Sequence, residues 1–174
     1  MNMEFDDIVR ERYSVRSFSN EKVEPDKIES ILRAAQLAPT AVNFQPQQIY
    51  ILTSKEALDK INTLSPSIYN ASTVFLICSN ENETWKSKTE IGYTTGEMDA
   101  SIVCTFMMLK AWDIGIGSVW VRLFDSNDVA KAFDLPDYIK PRCLLPIGYP
   151  TDDCEPFPPW HYVNKGIDEF SEEI

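Results

Sequence analysis

Arg12, Ser14 and Arg16 occupy every second position near the start of the chain. In an extended segment side chains alternate between faces, so all three point to one side. Two guanidinium forks beside a hydroxyl suit a phosphate or a polyol chain; the plainer reading is a solvated basic turn. A second group is Ala38-Pro39-Thr40-Ala41-Val42-Asn43-Phe44-Gln45-Pro46. Small residues there let backbone approach a flat ligand, and the amides of Asn43 and Gln45 can pair with an imide edge. Alone, it also reads as a polar helix–strand connection. A third is Gly115-Ile116-Gly117-Ser118-Val119-Trp120-Val121-Arg122, a glycine turn feeding an apolar stretch, equally readable as core.

Other chemistries are excluded. Gly115 and Gly117 lack the third glycine of a dinucleotide fingerprint and follow a helix pattern rather than a strand. There is no phosphate-loop pattern and no nucleophile elbow. The single histidine, His161, rules out sites that need two, and Cys78, Cys104, Cys143 and Cys154 form no CxxC or zinc-ribbon spacing. These cysteines read as reduced structural thiols. The net charge of −11, from 16 basic and 27 acidic residues, argues against nucleic-acid binding. An acidic chain that holds an anion must do so with a few well-placed cations, which makes the Arg12–Arg16 cluster informative.

The elements that must carry these groups can be read from periodicity. Phe5, Ile8 and Val9 mark a short helix with Asp6 and Asp7 in its first turn. Pro25 opens a second helix with an apolar stripe of Ile28, Ile31, Leu32 and Ala35, which Pro39 ends. Thr40 to Gln47 is expected as loop and Gln48 to Thr53 as a strand. Ser54 caps a helix bearing Leu58, Ile61 and Leu64. Thr73 to Cys78 is a buried strand by its β-branched apolar run. Met98 to Trp112 is a helix apolar nearly all round from Ile102 on, which must be covered on all sides by the domain centre or by another subunit. A strand over Ser118 to Val121, a helix capped by Asp125 or Ser126 and carrying Val129, Ala132 and Phe133, and a strand over Leu144 to Ile147 complete the series. Residues 151–174 read as an extended, Pro-rich, acidic arm on one domain spanning 1–174. The class is α+β, a mixed sheet with helices on it. No apolar run reaches the length of a membrane span, and the first residues lack a basic-then-apolar leader, so a cytoplasmic location is expected.

Taken together the motifs resemble the FMN-dependent nitroreductase family. Arg12, Ser14, Arg16 and Phe18 resemble its RxSxR/KxF segment. Ala38, Pro39, Thr40, Ala41, Asn43, Gln45 and Pro46 resemble its APSxxNxQP loop. Met98 to Trp112 resembles its long central helix, and Leu145-Pro146-Ile147-Gly148-Tyr149-Pro150 its closing GYP strand. The resemblance runs in order from Phe5 to about Pro150. It implies a mostly antiparallel sheet flanked by helices, in a homodimer with FMN at the subunit interface and the C-terminal arm wrapped on the partner. It implies that Arg12, Tyr13, Ser14 and Arg16 hold the ribityl phosphate. Pro39, Thr40, Ala41 and Asn43 would lie against the ring from the other subunit, with Gln45 in the same loop. The backbone around Val121 and Arg122 would face flavin N5.

Three positions depart from the pattern. Gln47 stands where many members have a tryptophan, and Leu123 where many have a glycine. The arm begins Thr151-Asp152-Asp153-Cys154-Glu155 where basic residues are usual, leaving only His161 and Lys165 as its cations, with Lys165 as a compensating phosphate contact. Trp85, Tyr93, Trp120 and Phe124 are candidate pocket walls. The activity implied is transfer of electrons from NADH or NADPH, bound transiently over the flavin, to nitroaromatics, quinones or enones. With the chemistry carried by FMN, the expected kinetics are ping-pong, with no catalytic acid or base from the protein and no metal. The alternative is a non-catalytic flavin- or ligand-binding dimer, a sensor or storage protein.

Overall fold

The structure, a computed structural model, describes residues 4–174. In chain order the elements are α1 (Phe5–Glu11), α2 (Pro25–Leu37), β1 (Gln47–Leu52), α3 (Lys55–Leu64), β2 (Thr73–Asn80), α4 (Gly96–Asp113), β3 (Gly117–Ser118), α5 (Ser126–Ala132), β4 (Ile139–Gly148) and α6 (Pro158–His161). Single 3-10 turns lie at Ala41–Asn43, Pro66–Ile68 and Ile167–Glu169. The strands form one sheet in the order β1-β2-β4-β3, every neighbouring pair antiparallel. A lone parallel bridge joins Ser14 to Ser118 at its edge.

Strand β2 is buried on both faces, so its sequence is continuously apolar instead of alternating. Phe75 and Ile77 join Cys143, Leu145 and Ile147 of β4 on one face, under Ile31 and Ala35 of α2 and Val103, Met107 and Ala111 of α4. Val74, Leu76 and Cys78 join Leu144 on the other, over Ile61 of α3 and Val129 of α5. The two faces are two halves of a core split by the sheet.

Local chemistry sets the helix ends. Ala38, ahead of Pro39, is forced out of helical geometry to φ −64° and ψ 135°, and α2 stops at Leu37. The Ser54 hydroxyl accepts the Ala57 N–H and caps α3. Of the two expected caps for α5, Asp125 serves, accepting the N–H groups of Asn127 and Asp128, while Ser126 donates to the Pro141 carbonyl. Helix α4 closes with Gly115 at φ +76° and the Ile116 N–H bonded to the Ala111 carbonyl, a turn that favours glycine.

Strand β1 is shifted one residue from the expected Gln48 to Thr53, and β2 runs two residues past Cys78; the two larger differences, at β3 and β4, involve proline. The last strand is longer than Leu144 to Ile147 because Pro141 lies inside β4 instead of ending it. The ladder to β2 skips Arg142, pairing Cys78 with Pro141 and Ile77 with Cys143, so Arg142 is a bulge residue. On the other side Pro146 has no N–H to donate. It accepts from Val119, and regular pairing lapses between Ser118 and the bridge at Val121–Leu144. The expected strand Ser118 to Val121 is therefore two short contacts.

The extended segment Tyr13–Ser19 lies along this edge. The Val15 N–H bonds to the Ser118 carbonyl and the Ser19 N–H to the Tyr149 carbonyl. A Cβ on Gly117 would come within 2.7 Å of Val15 Cγ2, and one on Gly148 within 3.1 Å of Phe18 Cδ1. Gly117→Ala should therefore overpack this seam and lower stability by about 1–3 kcal/mol. Urea unfolding at equilibrium checks it, an unchanged midpoint being the contrary result.

Candidate functional site

Docking the segment sets Val15 into the core and turns its neighbours outward, where Arg12, Tyr13, Ser14 and Arg16 line one small cleft of about 70 Å³. The opposite wall is the C-terminal arm, through Phe157, Trp160 and His161. Arg16 donates to the Ser14 carbonyl at 3.2 Å, and its guanidinium lies 5.0 Å from the Trp160 ring centroid. Tyr13 donates its hydroxyl to the Cys154 carbonyl at 3.0 Å and packs edge-on to Trp112. Burial, then the neighbouring Cys154 and Glu155, hold the Tyr13 phenol above its ordinary range, so it remains a neutral donor. The Thr151 N–H and hydroxyl meet the Ser17 carbonyl and hydroxyl. The arm is thus tied to its own chain over residues 151–161. The cleft offers two fixed positive charges, a hydroxyl and an imidazole, a donor set that fits a phosphate group.

The Asn43 loop stands apart from this cleft, and no hydrogen bond joins the two among the described residues. Val42, Asn43 and Gln45 all have positive φ, at 47°, 59° and 51°. Thr40 Oγ1 accepts the Gln45 N–H across the loop, and Asp99 Oδ1 accepts the Ala41 N–H from below at 2.9 Å. Pro39, Val42, Asn43, Phe44 and Gln45 are exposed, and Thr40 and Ala41 half-buried. The loop offers a pre-shaped edge of backbone and amides.

A profile of the Nitroreductase family matches residues 9–67 and 62–149. The chain belongs to the nitroreductase family. It is an oxidoreductase enzyme. A protein of Archaeoglobus fulgidus, named as a candidate NADH dehydrogenase/NAD(P)H nitroreductase, is 30% identical over 149 residues, 82% of this chain and 83% of that one. The FMN reductase [NAD(P)H] of Bacillus subtilis is 28% identical over 156 residues, 80% of this chain and 63% of that one. Among solved structures, a nitroreductase family protein of Clostridium difficile 630 superposes with a TM-score of 0.90 at 33% identity, covering 98% of each chain.

The remaining residues singled out from the sequence divide sharply. Val121 exchanges both of its backbone hydrogen bonds with Leu144, so its amide is not free to face a ligand. Arg122 is exposed, and its side chain is turned onto the Phe124 carbonyl and the Ser126 hydroxyl. Lys165 is exposed on the arm and does not line the cleft. Of the aromatic candidates, Tyr93 lines a cleft of about 510 Å³ with Met98, Ser101 and Arg142. Trp120 and Phe124 pack against the two halves of the core. Trp85 gives its carbonyl to the Thr95 N–H. All four cysteines are free. Burial, then Cys143, pushes the Cys78 thiol up to about 12, and burial with the same neighbour raises Cys104 as well, which suits inert packing thiols.

Sequence reasoning did not single out Phe157 and Trp160 on the arm, and it set His161 aside as a tail residue. It also missed the Arg142 network beside the larger cleft. The bulge turns Arg142 toward Ser79 and Glu81, each at 2.7 Å, with Glu97 at 3.7 Å. A Cβ on Gly96 would lie 2.7 Å from Glu81 Oε1, so the network packs directly on the start of α4. Burial works against ionised Glu81. The bonds from Ser79 and Arg142, the guanidinium charge and Thr94 outweigh it and hold the carboxyl below its ordinary range. Stability from a lowered carboxyl is present above its unfolded value and is lost as pH falls through the folded one. Arg142→Met should cost about 1–3 kcal/mol at neutral pH, less than a fully dry pair because the side chains remain 22% and 25% exposed. The difference from wild type should shrink toward pH 3, as urea titrations across that range will read.

Helix α4 is fully buried on one side and only partly covered on the other. Val103, Cys104, Met107 and Ala111 are fully buried, whereas Phe106 is 38% exposed and Met98 54%. Phe106 and Leu109 line an apolar groove of about 430 Å³ with Phe5, Ile8 and Ala34. Among the described residues no helix is long and apolar enough to cross a membrane.

Proposed function

We propose that this chain is an FMN-dependent NAD(P)H oxidoreductase that reduces electron-poor acceptors such as nitroaromatics, quinones or enones. The observation that carries the reading is the convergence of Arg12, Ser14 and Arg16 on one cleft in a chain of net charge −11. Relatives named FMN reductase and NAD(P)H nitroreductase support it. Residues 1–174 are one FMN-binding domain, with 151–174 as its arm. Arg12, Ser14 and Arg16 hold the phosphate, with Tyr13 positioning the arm behind it. Pro39, Thr40, Ala41, Asn43 and Gln45 meet the ring, and the backbone at Arg122, rather than the engaged amide of Val121, borders it. When bound, FMN supplies hydride acceptance from nicotinamide and its return to a second substrate, so turnover is ping-pong and the protein needs no acid or base of its own. A cytoplasmic location belongs to the same reading.

The protein is a homodimer in this proposal. The partly covered apolar side of α4, with Phe5 of α1 beside it, gives a second copy a surface to bury. The loop and the phosphate cleft, separate within one chain, are then brought together across that interface. Sedimentation at micromolar concentration should show a dimer, and Phe106→Glu should shift it toward monomer; a flavin-loaded wild-type monomer would refute the arrangement.

Purified protein should be yellow and bind one FMN per subunit. Arg12→Ala and Arg16→Ala should each weaken binding by about 1.5–3 kcal/mol, roughly 10- to 150-fold, in a flavin fluorescence titration. Wild-type affinity in both variants would return the cluster to a solvated turn.

The rate law is tested separately. Initial rates against nicotinamide and acceptor should give parallel double-reciprocal lines. Flavin binding with negligible nicotinamide oxidation would point instead to a sensor or storage protein.

A further inference from the structure

Asp99 has 2% of its surface exposed, and none of the ion pairs among the described residues includes it. A carboxylate withdrawn from water is costly unless its oxygens are bonded. Here Oδ2 accepts the Thr95 hydroxyl at 2.7 Å and Oδ1 accepts the Ala41 N–H at 2.9 Å. The position in the first turn of α4 adds the favourable end of the helix dipole. Thr95 is itself buried, and its N–H is tied to the Trp85 carbonyl, so the carboxylate is held from one side and spends its other oxygen on the loop.

That loop needs holding. Val42 sits at φ 47° and ψ 25°, a conformation that β-branched residues avoid, and its side chain is 66% exposed, so no packing compensates. Asn43 and Gln45 share the left-handed region. The hydrogen bonds of Thr40, Asn43, Phe44 and Gln45 stay inside the loop. Among the described residues the bond from Ala41 to Asp99 is the one that ties residues 40–45 to another part of the chain.

We infer that Asp99 is a positioning residue: through Ala41 it fixes loop 40–45 in the strained shape that meets the flavin. The inference rests on the FMN reading above. The far end of the loop is pinned where the Pro46 carbonyl accepts the Asn80 N–H, and Asp99 holds its start; strain kept in this way in an exposed, chemically furnished loop is pre-organisation, made during folding rather than at binding. The same carboxylate links the loop to α4, whose other side is the apolar surface assigned to the second copy.

The test separates the clamp from the cofactor. In protein free of FMN, Asp99→Ala should speed amide hydrogen exchange at residues 41–45 at least tenfold while β2 and β4 stay protected. With FMN added, the dissociation constant should rise at least tenfold. Asp99→Asn keeps an oxygen for the Ala41 N–H, and Thr95 can turn its hydroxyl to accept, so it should stay within about threefold of wild type. Adding Val42→Gly to Asp99→Ala relieves the left-handed strain and should recover most of the lost affinity, which a general loss of stability would not do. If Asp99→Ala does not fold, Ala41→Pro decides. It deletes the donor at the start of a 3-10 turn that follows an extended Thr40, where proline is tolerated, and it should show the same loss. Wild-type exchange and FMN affinity in a folded Asp99→Ala or Ala41→Pro would overturn the proposal, as would a folded Asp99→Asn that loses binding, or no recovery with Val42→Gly. Wild-type protein that binds no FMN would sink the flavin reading instead, while the exchange experiment still judged the clamp.

Discussion

The close approach of residues 13–19 to the sheet edge is the constraint on which the cleft lined by Arg12, Ser14 and Arg16 depends. At Gly117 and Gly148 the sheet presents bare backbone, and Val15 and Phe18 fill the space that side chains would take. Burying those two residues fixes which way their neighbours point. An alternation that in a loose chain would average out becomes a rigid display of Arg12, Ser14 and Arg16. Arg16 is held further by the Ser14 carbonyl and the Trp160 ring, so its charge is pre-placed beside the strand edge.

The second organising element is α4, which does different work on each side. Its buried side closes one half of the core over β2 and β4. Its first turn carries Asp99 to the loop and leans on the Arg142–Glu81–Ser79 network through the gap left by Gly96. Its other side is apolar surface that the single chain leaves open. Core packing, loop geometry and an open apolar surface thus meet on one helix.

What could be read in the sequence follows from how local its cause was. Period-2 spacing gave the one-sided cluster of Arg12, Ser14 and Arg16, because alternation is a property of the backbone itself. The helix boundaries at Pro25, Pro39 and Ser54 were legible for the same reason. The ends of β4 were not. Pro141 looks like a break, and only the bulge at Arg142, which belongs to pairing with β2, makes room for it inside the strand. His161, Trp160 and Phe157 could not be assigned to the cleft because a hydrogen bond spanning 141 residues, from Tyr13 to the Cys154 carbonyl, brings the arm there. Asp99 carried one faint signal, an acid beside Glu97 in the first turn of a largely apolar helix. Its target was invisible because the bond runs to a backbone amide, which has no signature in sequence.

The arm has a thermodynamic meaning beyond its contacts. One wall of the anion cleft is residues 12–16 and the other is residues 157–161, so the cleft exists only while the arm is docked. Whatever free energy an anion gains from the second wall is returned to the arm as resistance to peeling away, since linkage between two equilibria is reciprocal. Asp152 and Asp153 are exposed on the same arm and come with it when it docks. Charge on so short a tail bears on any anion the cleft accepts, and it can drift through surface substitutions without disturbing either half of the core.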